Sequence, residues 1–150
     1  MKRIYKAAVL FTLLISFKSL TAQVVTERRP QLFAAFERSI NFPKPELEKI
    51  FAAAEGANIK LSLGGNVGLT GLVTSSVQRY NNLKSVIVRL NNLDNTVLGI
   101  SKRINDDNSI TYIGRIVNTK YSDAFEIKSD ANGNYFLNKK NTSELIEDHD

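Results

Sequence analysis

Three consecutive apolar segments in the middle of the chain constrain its fold more than any other feature. They are rich in β-branched residues and span Leu83–Asn91, Thr96–Ile104 and Ser109–Val117. The connections between them contain mainly Asn and Asp, which favour tight turns because their side chains bond the local backbone. Parallel pairing would need longer crossover connections than these. The segments therefore predict the centre of an antiparallel β-meander.

The alternation of apolar and polar residues continues on both sides of this centre. On the N-terminal side it predicts strands at about 58–63 and 69–79. On the C-terminal side, Tyr121–Ser129 and Asn134–Lys140 are predicted to form a hairpin, because Asn132-Gly133 between them is a strong turn signal. The chain would then hold about seven strands. One face of the second strand is predicted to carry Leu69, Gly71, Val73, Ser75 and Val77.

One helix is predicted before these strands, over Pro45–Glu55. Pro45 suits the first turn of a helix, and Gly56 can adopt the left-handed conformation that ends one. The apolar residues between them recur at helical spacing and give the helix one apolar face. These residues are Leu47, Ile50, Phe51 and Ala54.

The preceding stretch, Pro30–Phe42, is compatible with two structures. Its apolar residues follow helical spacing. Its last part, Ser39–Phe42, is equally suited to a short strand, so both alternatives stay open. The apolar residues concerned are Leu32, Phe33, Phe36 and Ile40.

Together these elements predict a mainly β protein of the α+β type. We expect an N-terminal helix followed by a curled antiparallel meander of about seven strands, as an open roll or a partly closed barrel. The length of 150 residues and the apolar content of 43% suit one domain with a sizeable core. We assign this domain to residues 23–150, with loose termini at about 23–29 and 141–150.

Residues 1–22 have the features of a secretory signal peptide. Lys2, Arg3 and Lys6 form a positive start, residues 7–17 are almost entirely apolar, and small residues then lead to the polar Gln23. The segment resembles a Gram-negative bacterial signal sequence, and we expect cleavage after residue 22. The mature chain is then expected in the periplasm or outside the cell.

This leader also accounts for the basic character of the sequence. The whole chain carries 20 Lys and Arg against 15 Asp and Glu, but the leader takes four basic residues and no acidic one. The 16 basic and 15 acidic residues that remain do not give the surplus that nucleic-acid binding needs. Because charges fall on both faces of the strands, we also expect no stable membrane insertion.

The sequence offers little material for catalysis. It holds no cysteine, and its one histidine, His149, stands next to the C-terminus. Thiolate metal sites, cysteine nucleophiles and histidine-based triads are therefore excluded. No two carboxylates are placed to face each other across a cleft. We expect a disulfide-free protein with no enzyme activity, no cofactor and no metal.

Three arginines are the best candidates for a binding site. Arg89, Arg103 and Arg115 fall on three successive strands, each opposite its strand's main apolar set. Because alternate side chains of a strand point to opposite faces, the three would lie on one exposed face of the meander. Their guanidinium groups would bind carboxylates or phosphates through paired hydrogen bonds.

The same arginines have a structural alternative. They would keep an exposed sheet soluble and pair with Glu126 or Asp123. Ile87 and Ile113 lie on the same face, which suggests that part of this face is covered. The open end of the curled sheet is the other place where a site is expected.

These features predict a small, exported, soluble, non-enzymatic binding or interaction protein. Its partner would be another exported or envelope protein, or a small ligand, and not a nucleic acid. One alternative is an inhibitor or accessory factor of another exported protein, acting through a loop such as Gly64–Gly68. A second alternative is a carrier of a small apolar ligand, with a cavity between the helix and the sheet.

Overall fold

A computed structural model of the chain describes residues 29–143 and Leu145. In this part of the chain, eight antiparallel strands form one curled half-barrel sheet with one α-helix, so the predicted mainly β class is confirmed. The predicted leader, residues 1–22, lies outside the described residues. The elements are β1 Ser39–Asn41, α1 Lys44–Ala52, β2 Asn58–Ser62, β3 Gly68–Tyr80, β4 Leu83–Leu90, β5 Thr96–Ile104, β6 Ile110–Val117, β7 Asp123–Ser129 and β8 Tyr135–Asn141.

The strands from β2 to β8 pair in chain order, as the short connections require. The order across the sheet is β1-β8-β7-β6-β5-β4-β3-β2. In the centre, Val88 is the partner of Leu98, and Leu98 is the partner of Ile116, which confirms the antiparallel meander. The predicted β7–β8 hairpin is also present, and Gly133 in its turn has the positive φ of 75° that glycine adopts without strain.

The strand count was wrong by one, because β1 precedes the helix and pairs with β8 at the far edge of the sheet. Of the two structures open for Pro30–Phe42, the short strand is therefore found. The stretch before it does not form a helix, because tertiary contacts hold it. The buried Asp123 carboxylate accepts the N–H groups of Leu32 at 2.7 Å and Phe33 at 2.9 Å, and the Phe33 ring lies 4.7 Å from that of Phe125.

Helix α1 ends at Ala52, three residues before Glu55, where the sequence predicted its end. Ala53 already has extended backbone angles, and Ala54 is exposed rather than part of the apolar face. Gly56 does have a positive φ, of 84°, but it lies in the turn after the helix. Its N–H donates to the carbonyl of Val73 at 2.8 Å, so pairing with β3 competes with a longer helix.

One face of the sheet, the inner face, packs against α1 and holds the core. Leu47, Ile50 and Phe51 of the helix are buried against it. Along the central strands, buried inner-face residues alternate with residues of the outer face, which carries the exposed side chains. The buried inner-face residues of β4, β5 and β6 include Val86, Val88, Leu90, Leu98, Ile100 and Ile116.

Strand β3 is irregular, and this corrects the face predicted for its second half. Its register with β4 shifts between Val73 and Ser75, so that Val73 opposes the buried Val88 whereas Ser75 opposes the outer-face residue Ile87. A bulge of this kind adds one residue and increases the local twist. Ser75 therefore lies on the outer face, although its spacing from Leu69 predicted the inner one.

The close packing of β5 against β6 predicts different effects for two neighbouring glycines. A Cβ on Gly114 would lie 2.5 Å from the carbonyl oxygen of Gly99, whereas a Cβ on Gly99 would meet nothing within 4 Å. We expect Gly114→Ala to lower the free energy of unfolding by about 1–3 kcal/mol through overpacking. Gly99→Ala is expected to change it by less than about 0.5 kcal/mol. Urea unfolding measures both, and equal midpoints for the two variants would contradict this packing.

Candidate functional site

All three predicted arginines are exposed and lie on the outer face. Arg115 is opposite Gly99 of β5, Arg103 is opposite Thr111 of β6, and Arg89 is opposite Val97 of β5. Arg103 and Arg115 are therefore on adjacent strands but four residues apart in register, or about 13 Å along the strand. The three arginines thus share a face, and Arg103 and Arg115 line two different hollows on it.

Neither carboxylate expected as a structural partner binds one of the three arginines in the described part of the chain. Glu126 is opposite Arg115 in the β6–β7 pair, but its Oε1 binds Lys128 Nζ at 2.8 Å. Its Oε2 is buried and has no hydrogen-bond partner among the described residues. Asp123 is buried on the inner face and accepts main-chain N–H groups. Within residues 29–143, none of the three arginines has a side-chain hydrogen bond or an ion pair.

Apolar side chains stand between the arginines on the outer face. Ile87 is 40% exposed, Val97 is 37% exposed and Ile113 is 59% exposed. In the described part of the chain, Ile87 and Val97 therefore keep less than half of their area exposed, whereas Ile113 is mostly uncovered. Ile87 and Arg115 both oppose Gly99, whose missing side chain leaves a gap between them. The outer face thus combines cationic and apolar groups.

A cavity opens at one end of the inner face, between α1 and the ends of β3, β4 and β5. Its volume is about 510 Å³. Its floor follows one row of side chains across three adjacent strands, because Gln78, Lys84 and Lys102 oppose one another in register. Tyr112 of β6 opposes Lys102 and continues this row beyond the cavity. The lining residues are Glu48, Lys49, Phe51, Ala52, Gln78, Asn81, Asn82, Lys84, Lys102 and Ile104.

Lys84 and Lys102 of this cavity donate hydrogen bonds to acceptors on the helix. Lys84 Nζ donates to the carbonyl oxygen of Phe51 at 2.8 Å, near the C-terminal end of α1. Lys102 Nζ binds the Glu48 carboxylate at 2.7 Å, and the Tyr112 hydroxyl donates to the same carboxylate. Lys102 Nζ also lies 5.9 Å from the centre of the Tyr112 ring, within cation–π range.

These contacts shift two pKa values in opposite directions. Desolvation by itself raises the pKa of the Glu48 carboxyl, but the hydrogen bonds from Lys102 and Tyr112 outweigh it, so that pKa lies below its usual 4.5. Desolvation raises the pKa of the Tyr112 hydroxyl, and its hydrogen bond to Glu48 raises it further. At neutral pH, Glu48 is therefore a carboxylate and Tyr112 a neutral hydrogen-bond donor.

From the sequence, a cavity between helix and sheet was expected only for the alternative of a small-ligand carrier, and no residue was assigned to it. The sequence does contain one signal for this site, namely lysines on the apolar faces of two strands. Lys102 shares its strand face with Leu98 and Ile100, and Lys84 shares its own with Val86. A lysine on the apolar face of a strand must either reach solvent at the end of the sheet or find a partner. Both lysines do find partners on α1.

The loop predicted as a possible inhibitory element lies against the sheet edge. Gly64–Asn66 forms a short 3₁₀ turn, and Gly65 has a φ of 65°. A Cβ on Gly64 would lie 3.0 Å from the Cβ of Asn41 in β1, and one on Gly65 would approach Glu37. The loop is thus ordered by contacts with the segment around β1.

No protein-family model, curated protein or solved structure matches the chain. Within residues 29–143 and Leu145, no three His, Cys, Asp or Glu side chains are grouped closely enough to hold a metal ion. Across the same residues, no helix has the length and apolar character needed to cross a membrane. The chemistry of the site therefore has to be inferred from its own side chains.

The low pKa of Glu48 gives a pH-dependent prediction. A carboxyl whose pKa is lowered by folding contributes stability above its unfolded pKa, and this contribution disappears as the pH falls through the folded value. Because Glu48 is 48% exposed, solvent screens its contacts, and we expect Glu48→Gln to lower the free energy of unfolding by no more than about 1 kcal/mol at pH 7. The difference from the unchanged protein should shrink below about pH 4.5.

Thermal unfolding followed by circular dichroism between pH 3 and pH 7 measures this difference. Glu55→Gln is the matched control, because Glu55 lies just beyond α1 and is exposed. A Glu48→Gln deficit that stays constant down to pH 3 would show that the carboxylate does not carry the stabilisation.

Proposed function

We propose that the chain is an exported, soluble, non-enzymatic interaction protein whose outer face binds an acidic surface of another exported or envelope protein. The observation that carries the proposal is the combination on the outer face of exposed arginines, which have no ion-pair partner in residues 29–143, with exposed apolar side chains beside them. Export to a bacterial periplasm or to the medium stays a prediction from residues 1–22, and the lack of enzyme activity stays a prediction from the composition.

Charge complementarity decides the kind of partner. The Glu126–Lys128 pair neutralises itself, so that the central outer face keeps the positive charges of Arg89, Arg103 and Arg115. A planar guanidinium group binds a carboxylate through two parallel hydrogen bonds, which gives both direction and strength. A partner surface rich in Asp and Glu therefore fits this face.

The apolar side chains of the outer face supply the second part of the interaction. Ile87, Val97 and Ile113 are exposed beside the arginines. Burial of apolar area contributes about 25 cal/mol per Å², and arginines with apolar neighbours are typical of protein interfaces. An acidic protein surface that also offers apolar side chains would use both.

A carrier function is the second candidate, and the cavity beside α1 favours it. Its volume of about 510 Å³ is in the range of small-molecule sites. The inhibitor alternative has no comparable observation in its favour, because the Gly64–Gly68 loop rests on the segment around β1.

Replacement of all three arginines tests the interaction proposal. The exported protein is first used to capture partners from its own envelope or culture fluid, and a stoichiometric protein partner is then titrated. We expect Arg89→Gln, Arg103→Gln and Arg115→Gln together to weaken binding about tenfold or more. The reason is that the carboxylates of the partner then lose the guanidinium groups that bind them. The melting temperature should fall by no more than about 3 °C, because exposed charges contribute little to stability.

A control with the same change of charge separates specific from general effects. It combines Arg38→Gln, Lys44→Gln and Lys120→Gln, three exposed positions outside the central outer face. This control should bind as the unchanged protein does. Unchanged binding together with lost stability in the arginine variant would leave only a structural role, and binding to anionic vesicles in place of an acidic protein would also overturn the proposal.

A further inference from the structure

We infer that the cavity beside α1 binds a small organic anion, with its charged group between Lys84 and Lys102 and its apolar part against Phe51 and Ile104. The inference rests on the carrier function proposed above. It names the ligand class, which differs from the apolar ligand expected from the sequence.

The first observation is that two cations are paired across the sheet. Lys84 and Lys102 are direct partners in the β4–β5 register, and both line the cavity. Directly opposite like charges destabilise an antiparallel pair. An anion bound by both ammonium groups would offset their repulsion.

The second observation is that the protein neutralises these cations only in part. The four charged groups of the lining are the Glu48 carboxylate and the ammonium groups of Lys49, Lys84 and Lys102. Lys84 has a neutral carbonyl partner, and Lys49 binds Glu46 outside the cavity. An ammonium group carries three donors, so Lys84 and Lys102 can each bind an anion while their present contacts remain.

The third observation concerns the walls, which suit an organic rather than an inorganic anion. Phe51 and Ala52 of α1 and Ile104 of β5 form an apolar side of the cavity. Ile104 is 40% exposed, so a ligand would bury apolar area there. The opposite rim has the amide side chains of Gln78, Asn81 and Asn82, which can bond polar groups of the ligand.

The rim is held in place before any ligand arrives. The Asn82 side-chain amide donates to the carbonyl of Ile104 at 3.2 Å, and the Gln78 amide donates to the carbonyl of Leu83 at 3.3 Å. These bonds fix the β3–β4 turn beside β5. A preformed wall lowers the cost of ordering on binding.

The Glu48 carboxylate would compete with a bound anion for Lys102, and this competition can be tested. That carboxylate already binds Lys102, and both side chains are partly exposed, at 48% for Glu48 and 22% for Lys102. Removal of this internal anion should free Lys102 for an external one. A variant that merely damages the fold would not bind the ligand more tightly.

The test uses naphthoate, an aromatic carboxylate, and its neutral alcohol analogue as probes of the purified full chain. Backbone amide NMR locates the binding, and titration calorimetry measures the affinity. We expect naphthoate to shift amides around Phe51, Lys84 and Lys102, and to bind at least about tenfold more tightly than the alcohol. The double variant Lys84→Gln/Lys102→Gln should lose this preference, and Glu48→Gln should raise the affinity for naphthoate severalfold.

Lys60→Gln is the matched control, because Lys60 is an exposed lysine on β2 that does not line the cavity. It should bind naphthoate as the unchanged protein does. If the double variant does not fold, Lys84→Gln alone is used. Equal binding of both probes in the cavity would overturn the anion assignment and keep the carrier function, whereas shifts confined to other surfaces would overturn both.

Discussion

The in-register pairing of β4, β5 and β6 decides on which side of the sheet every central side chain lies. A slip of one residue in any of these pairs would exchange the two faces. The observed register places Val88, Leu98 and Ile116 in the core and leaves Arg89 and Arg115 on the outer face. The core packing therefore also fixes the cationic surface, and the two cannot vary independently.

The cavity lies where the short helix α1 leaves part of the inner face uncovered. Glu48 and Phe51, three residues apart on α1, bond Lys102 of β5 and Lys84 of β4, so the helix passes from one strand to the next at this level. The helix buries the inner face at the level of Val86 and Ile100 but leaves the next row, with Lys84 and Lys102, partly uncovered. An open end of this kind is expected where one short helix covers a strongly curled sheet.

Local signals in the sequence predicted the elements well, whereas long-range contacts could not be predicted. The Asn-rich turns, the apolar face of α1 and Asn132-Gly133 all act over a few residues, and each is found. The pairing of Ser39 with Asn138 joins residues almost a hundred positions apart, and no local pattern indicates it. The bulge after Val73 likewise moved Ser75 to the outer face, because a period of two cannot reveal an extra residue.

The lysines of the cavity and the arginines of the outer face differ in how much they need a charged partner. Lys102 is only 22% exposed and needs the partner that it finds in Glu48, since a partly buried ammonium group is costly when unpaired. Arg89, Arg103 and Arg115 are solvated, so their lack of partners in the described residues costs little and would not by itself mark a site. Their apolar neighbours weigh more, because Ile87 and Ile113 gain free energy only when another surface removes them from water.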